Sequence, residues 1–156
     1  MSNFKATIFL SFSLFILTSF SYKPKPHLIV GNWQLIESQK KKVEFSKDGK
    51  NYCIERLTFS SDEIQSNFTL IDIINKKETD ITFGFNIFEP FDEFQTPVIL
   101  FKNLCDKKTR VVFSIMQLDK EFLIVQFEKK YSSDNIDISS GIMTFERTAG
   151  PPENMP

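Results

Sequence analysis

The chain alternates. Between residues 28 and 147 nearly every segment carries an apolar side chain at every second position, and nearly every break carries turn residues. The clearest run sets Ile81, Phe83, Phe85 and Ile87 against Thr82, Gly84 and Asn86, the period of a strand with one buried face. Similar runs cover 28–38, 52–59, 64–74, 98–104, 110–118, 121–129 and 141–147. No stretch offers an apolar stripe at helical spacing, and Ile, Val, Phe and Thr crowd the runs as strand formers do. Residues 60–62, 75–77 and 119–120 suit tight turns and hairpins, whereas 39–50, 89–97 and 131–140 read as long loops. Eight consecutive antiparallel strands with hairpin links describe a meander, and closing it removes the exposed edges of an open sheet. The expected fold is therefore all-β, an eight-stranded antiparallel up-and-down barrel. A two-sheet β-sandwich is the competing arrangement.

Composition narrows the chemistry. A chain of 156 residues is one domain with room for a single core, and 19 basic against 20 acidic residues leave no basic field for nucleic acid. The single histidine, His27, follows Pro26 and reads as a leader residue. It removes most histidine-based triads and multi-histidine metal sites. There is no glycine-rich phosphate loop and no zinc spacing. Asp92 and Glu93 are adjacent, and adjacent strand-like residues point apart, so they make a poor catalytic pair. A polar cluster inside the barrel, such as Arg56 with Glu55 or Asp72, would be needed to argue for an enzyme. The expectation is a protein that is not an enzyme, with no cofactor and no metal.

The N-terminus reads as an address. Lys5 precedes an apolar run over 6–17, and Ser19 and Ser21 are small residues placed as in a cleavage site. Residues 1–21 are read as a secretory signal peptide, 22–27 as a leader, 28–148 as the barrel domain and 149–156 as a disordered tail. A retained anchor is the alternative, but 17 residues over 6–22 with several hydroxyls stand at the short limit for spanning a bilayer. After cleavage no stable membrane insertion is expected. Secretion makes Cys53 and Cys105 candidates for one disulfide, with two free thiols as the alternative. It also gives meaning to Asn67-Phe68-Thr69 as a glycosylation acceptor at Asn67.

The first run opens Gly31-Asn32-Trp33, a G-x-W with the only tryptophan of the chain, and the last ends Thr144-Phe145-Glu146-Arg147. Ahead of a meander of eight, this resembles the signature of the lipocalins and the wider calycin group, with the basic residue near their final strand. Leu57-Thr58-Phe59, and the pairing of 111–118 with 122–127, are also similar to small secreted lipocalin-like domains. The resemblance covers nearly all of the chain after residue 21. Strand parity adds a geometric expectation: strand eight finishes at the end where strand one starts, so in a closed barrel Trp33 and Arg147 meet, guanidinium over indole. Both cysteines fall at the opposite, open mouth.

Phe68, Leu70, Phe83, Phe85, Phe113, Leu123, Val125 and Phe127 are the expected inward, ligand-lining residues, those of strands two, five and six being the least determined by parity. The functional expectation is a secreted binding protein carrying or sequestering a small hydrophobic, fatty-acid-like molecule inside the barrel. Eighteen phenylalanines in the chain raise the alternative of a filled core. The protein would then be an interaction or inhibitor module meeting a protein partner through its loops. A lysine-rich lip (Lys40, Lys41, Lys42, Lys47, Lys50) would draw an anionic head group or simply be a solvated loop. Phe91 and Phe94, in the 89–97 connection, would plug the base.

Overall fold

The computed structural model describes residues 26–40, 42–61, 65–90 and 94–148. The expected signal peptide, most of the leader and the C-terminal tail lie outside the described residues. Ten strands form one antiparallel sheet: β1 (Gly31–Leu35), β2 (Glu44–Lys47), β3 (Lys50–Phe59), β4 (Gln65–Asp72), β5 (Glu78–Phe88), β6 (Val98–Asn103), β7 (Arg110–Leu118), β8 (Phe122–Phe127), β9 (Ile136–Ile138) and β10 (Ile142–Arg147). From β3 to β8 each strand pairs with the next; β8 pairs with β10, β10 with β1, and β1 with β3. The ring closes through Trp33, which stands opposite Arg147 of β10 and Leu57 of β3. This is a closed eight-stranded up-and-down barrel, compatible with a lipocalin-like fold, and not a two-sheet sandwich.

Alternation turns one face of every strand into the bore. Phe68, Leu70, Phe83, Phe101, Phe113, Ile115, Leu123 and Val125 are all fully buried in one cluster. Irregular registers between Ile54 and Arg56 and between Ile115 and Gln117 insert an extra residue. That lets Ile54 and Leu57 both point inward despite their odd spacing.

Aspartates terminate most of the hairpins. Asp72 accepts from the backbone N–H groups of Ile74 and Asn75, both at 2.8 Å. Asp106 accepts from those of Lys108 and Thr109, and Asp119 from those of Glu121 and Phe122. Each side chain replaces a backbone acceptor at the turn, which is why Asp is favoured there. Between β2 and β3, Asp48 (φ 51°) and Gly49 (φ 75°) form the left-handed two-residue link that matches strand twist.

The long loops expected over 39–50 and 131–140 are not loops throughout. They contain β2 and β9, which pair with each other (Phe45 opposite Ile138, Lys47 opposite Ile136), while β2 also pairs with the first half of β3. Val43, Phe45, Ile136 and Ile138 join the core cluster. Four apolar side chains cover the mouth.

Candidate functional site

At the base end, Gly31, Trp33 and Arg147 form one unit. Trp33 is fully buried and its Nε1 donates to Ile29 O at 2.7 Å. The Arg147 guanidinium carbon lies 4.1 Å from the Trp33 ring centroid. Its Nη1 donates to Val30 O at 2.7 Å, Nη2 to Leu28 O, and Nε to Lys120 O at 2.8 Å. One planar fork thus ties the entry of β1 and the β7–β8 hairpin to the end of β10, a geometry an ammonium could not serve. Burial lowers the pKa of this guanidinium and the Asp119 carboxylate opposes the shift. Gly31 has φ 126°, and a Cβ there would sit 2.7 Å from Arg147 Nη1, so glycine is required both by its backbone and by the arginine.

The eight expected lining residues all reach the interior, strand-six Phe113 included; Phe85 and Phe127 are 5% and 8% exposed and the other six fully buried. They meet ring to ring. Phe68 of β4 touches Phe113 of β7 (centroids 6.0 Å apart), and Phe59 of β3 touches Phe101 of β6 (5.9 Å), each pair bridging strands three places apart around the barrel. Phe68 also contacts Phe83 (4.6 Å), Phe101 (4.9 Å) and, from the mouth strand β2, Phe45 (5.9 Å). Eight strands enclose a space that side chains can just fill, and here phenyl rings span it.

Several expected features stand elsewhere. Cys53 and Cys105 are free thiols, not a disulfide. β4 and β5 separate their strands, which puts them roughly 14 Å apart along the sheet, and a bridge needs Cα atoms within about 7 Å. Cys53 also alternates with the core-packed Tyr52 and Ile54, so it faces outward, and Cys105 lies in the exposed β6–β7 turn. Asn67 stands mid-strand on the outer face between Thr58 and Thr82, its Oδ1 buried and unpartnered; this is not the surface loop its motif implies. Thr69 of the same motif is on the outer side but only 2% exposed, donating to Asp80 at 2.6 Å.

In the lysine lip, Lys40 is neutralised by Glu55 (3.0 Å) and Glu37 (3.3 Å), and the Glu55 hydrogen bond raises its pKa. Lys47 is held by Asp48 and lies 3.9 Å from Asp106. Lys42 and Lys50 are exposed, and Lys41 lies outside the described residues. Asp72 serves its turn and Glu55 binds Lys40, so neither forms a polar cluster inside the barrel with Arg56. His27 is exposed on a 3-10 turn, Pro26–Leu28, ahead of β1. Asp92, Glu93 and Phe91 lie outside the described residues.

Phe94, expected to plug the base, instead folds back over the outer face of β6 and β7, its ring 4.8 Å from that of Tyr131. Between them and the sheet lies a cleft of about 280 Å³ with Val98, Leu100 and Val112 as its floor and Phe88 beside them. Arg110 and Lys130 stand at its rim, the Lys130 ammonium 5.1 Å from the Tyr131 ring centroid. A more polar cleft of about 450 Å³ shares Phe94, Lys130 and Tyr131 and opens toward Ser114, Gln126 and Glu128. In it the Ser114 hydroxyl donates to Glu128 at 2.6 Å. These clefts escape a period-two reading, because Phe94 and Tyr131 come from irregular segments. The sequence does hold one signal: Val98-Ile99-Leu100-Phe101 is apolar on both parities, the mark of a strand covered on both faces.

Compared with protein-family models, with curated proteins and with solved structures, the chain finds no match.

Proposed function

We propose that the protein is a secreted, noncatalytic binding module of calycin type whose closed barrel is a scaffold and whose recognition surface is the outside of the sheet. The observation that carries this reading is the pair of ring contacts across the bore, Phe59 with Phe101 and Phe68 with Phe113. A bore spanned by phenyl rings and covered at the mouth by Phe45 leaves a carried molecule no room without displacing core side chains. Apolar concavity is supplied instead by the cleft under Phe94 and Tyr131. Secretion rests on the N-terminal pattern of residues 1–21.

An uncharged apolar fluorophore tests the bore. The folded protein is expected to show no saturable uptake there, whereas Phe113→Ala, which opens a cavity lined by the remaining rings, gains it. Saturable uptake by the unaltered protein with amide shifts centred on Phe68, Phe83 and Phe113 returns the ligand to the bore and overturns this reading.

A further inference from the structure

The outer cleft has a chemical polarity that selects its occupant. Its floor is a cross-strand apolar pair, Leu100 of β6 opposite Val112 of β7. The next pair on that face, two residues along each strand, is Lys102 opposite Arg110. Like charges directly opposite on neighbouring strands repel, so such a pair costs stability unless an anion lies between them. Among the described residues neither side chain makes an ion pair with a carboxylate. Lys102 has Gly84 as its partner on the other side, so no side chain crowds it from β5. Among the described residues Glu128 lines the adjoining polar cleft, where it accepts from the Ser114 hydroxyl, and does not line the apolar one.

We propose that this outer cleft is a binding site for a compact amphipathic carboxylate, with its apolar body on Val98, Leu100 and Val112 under Phe94 and Tyr131 and its carboxylate on Arg110 flanked by Lys102. The size fits a small ligand, since about 280 Å³ stands at the lower edge of the roughly 300–1,000 Å³ of small-molecule sites. A guanidinium supplies two parallel N–H donors to one carboxylate, and the ammonium adds a point charge. The inference rests on the reading that recognition occurs outside the barrel, and it names the ligand class for that surface.

Decanoate, titrated below its micelle concentration into isotopically labelled protein, serves as the probe, with decanol as its uncharged counterpart. Saturable amide shifts are expected at Leu100, Val112 and Tyr131. Arg110→Gln combined with Lys102→Gln is expected to weaken decanoate about tenfold or more while leaving decanol unchanged. Both substituted side chains are exposed, so the fold is retained, and an unchanged amide spectrum away from the cleft verifies it. No saturable shifts, or equal binding of decanoate and decanol, overturn the carboxylate site and leave the outside-recognition reading to the bore experiment. Shifts centred on Phe68, Phe83 and Phe113 overturn both.

Discussion

The two ends of the barrel are closed by opposite means. At the base a single charged side chain does the work: Arg147 covers Trp33 and donates to three backbone carbonyls from two separate segments. At the mouth, closure is apolar, with the short strands β2 and β9 bringing Val43, Phe45, Ile136 and Ile138 into the core. Charge-assisted hydrogen bonds are directional and tolerate no substitute, whereas apolar burial scales with the volume removed. The base should thus respond to changes in chemistry and the mouth to changes in size.

The largest effect is expected at the mouth. Phe45 is fully buried and edge-on to Phe68, so Phe45→Ala is expected to destabilise the fold by about 3–5 kcal/mol in urea unfolding. Phe45→Leu, which keeps most of the volume, should recover most of that. If alanine and leucine behave alike, the mouth is not held by packing. At the base, Arg147→Ala removes the ring stack and leaves the carbonyls of Leu28, Val30 and Lys120 without this donor, an expected loss of about 2–4 kcal/mol. Arg147→Lys keeps charge and most of the length, yet it is expected to recover less than half, because an ammonium cannot match the planar fork. Full recovery by lysine would reduce the base to a point charge. Gly31→Ala follows, at about 1–3 kcal/mol for a non-glycine residue at φ 126°. Its effect should shrink in the Arg147→Ala background, where the Nη1 contact is gone, and strict additivity would break the link between the two residues.

The same contrast explains what could be read from the residues alone. The base was legible because Gly31, Trp33 and Arg147 are distinctive types and because parity in an eight-strand meander brings the ends of the chain's first and last runs together. The mouth was not: Val43 with Phe45, and Ile136 with Ile138, give two apolar positions each, too few to show a period, so 39–50 and 131–140 read as loops. The inward faces of β5 and β8 followed directly from alternation, whereas the ring contacts across the bore, Phe59 with Phe101 and Phe68 with Phe113, depend on barrel radius and shear, which no local pattern encodes. A disulfide was the natural expectation for two cysteines in a chain whose N-terminus reads as a secretory signal, but strand order, a property of the whole sheet, keeps Cys53 and Cys105 apart. The outer cleft required knowing that Phe94 and Tyr131 fold onto β6 and β7.

Acid should separate the two ends most finely. Three hairpin carboxylates at the mouth are held below the usual range, each by a different leading partner: the Asn135 side chain for Asp48, the Asn75 backbone N–H for Asp72, and the Thr109 hydroxyl for Asp106. At the base Asp119 alone among the described residues is so placed, chiefly by the Phe122 N–H. A carboxylate whose folded pKa is depressed stabilises the fold above its unfolded pKa of about 4, and that contribution disappears as pH falls through the folded value. All four are solvent-accessible, so each contribution is small, but three act on the mouth and one on the base, where Arg147 stays charged throughout. Amide exchange followed from neutral pH to below the carboxylate range should therefore lose protection first at the β2–β3, β4–β5 and β6–β7 turns, with Trp33 and its neighbours protected longest. Simultaneous loss at both ends would mean that the turn carboxylates do not govern local opening, and earlier loss around Trp33 would mean that Asp119 matters more to the base than the Arg147 fork does.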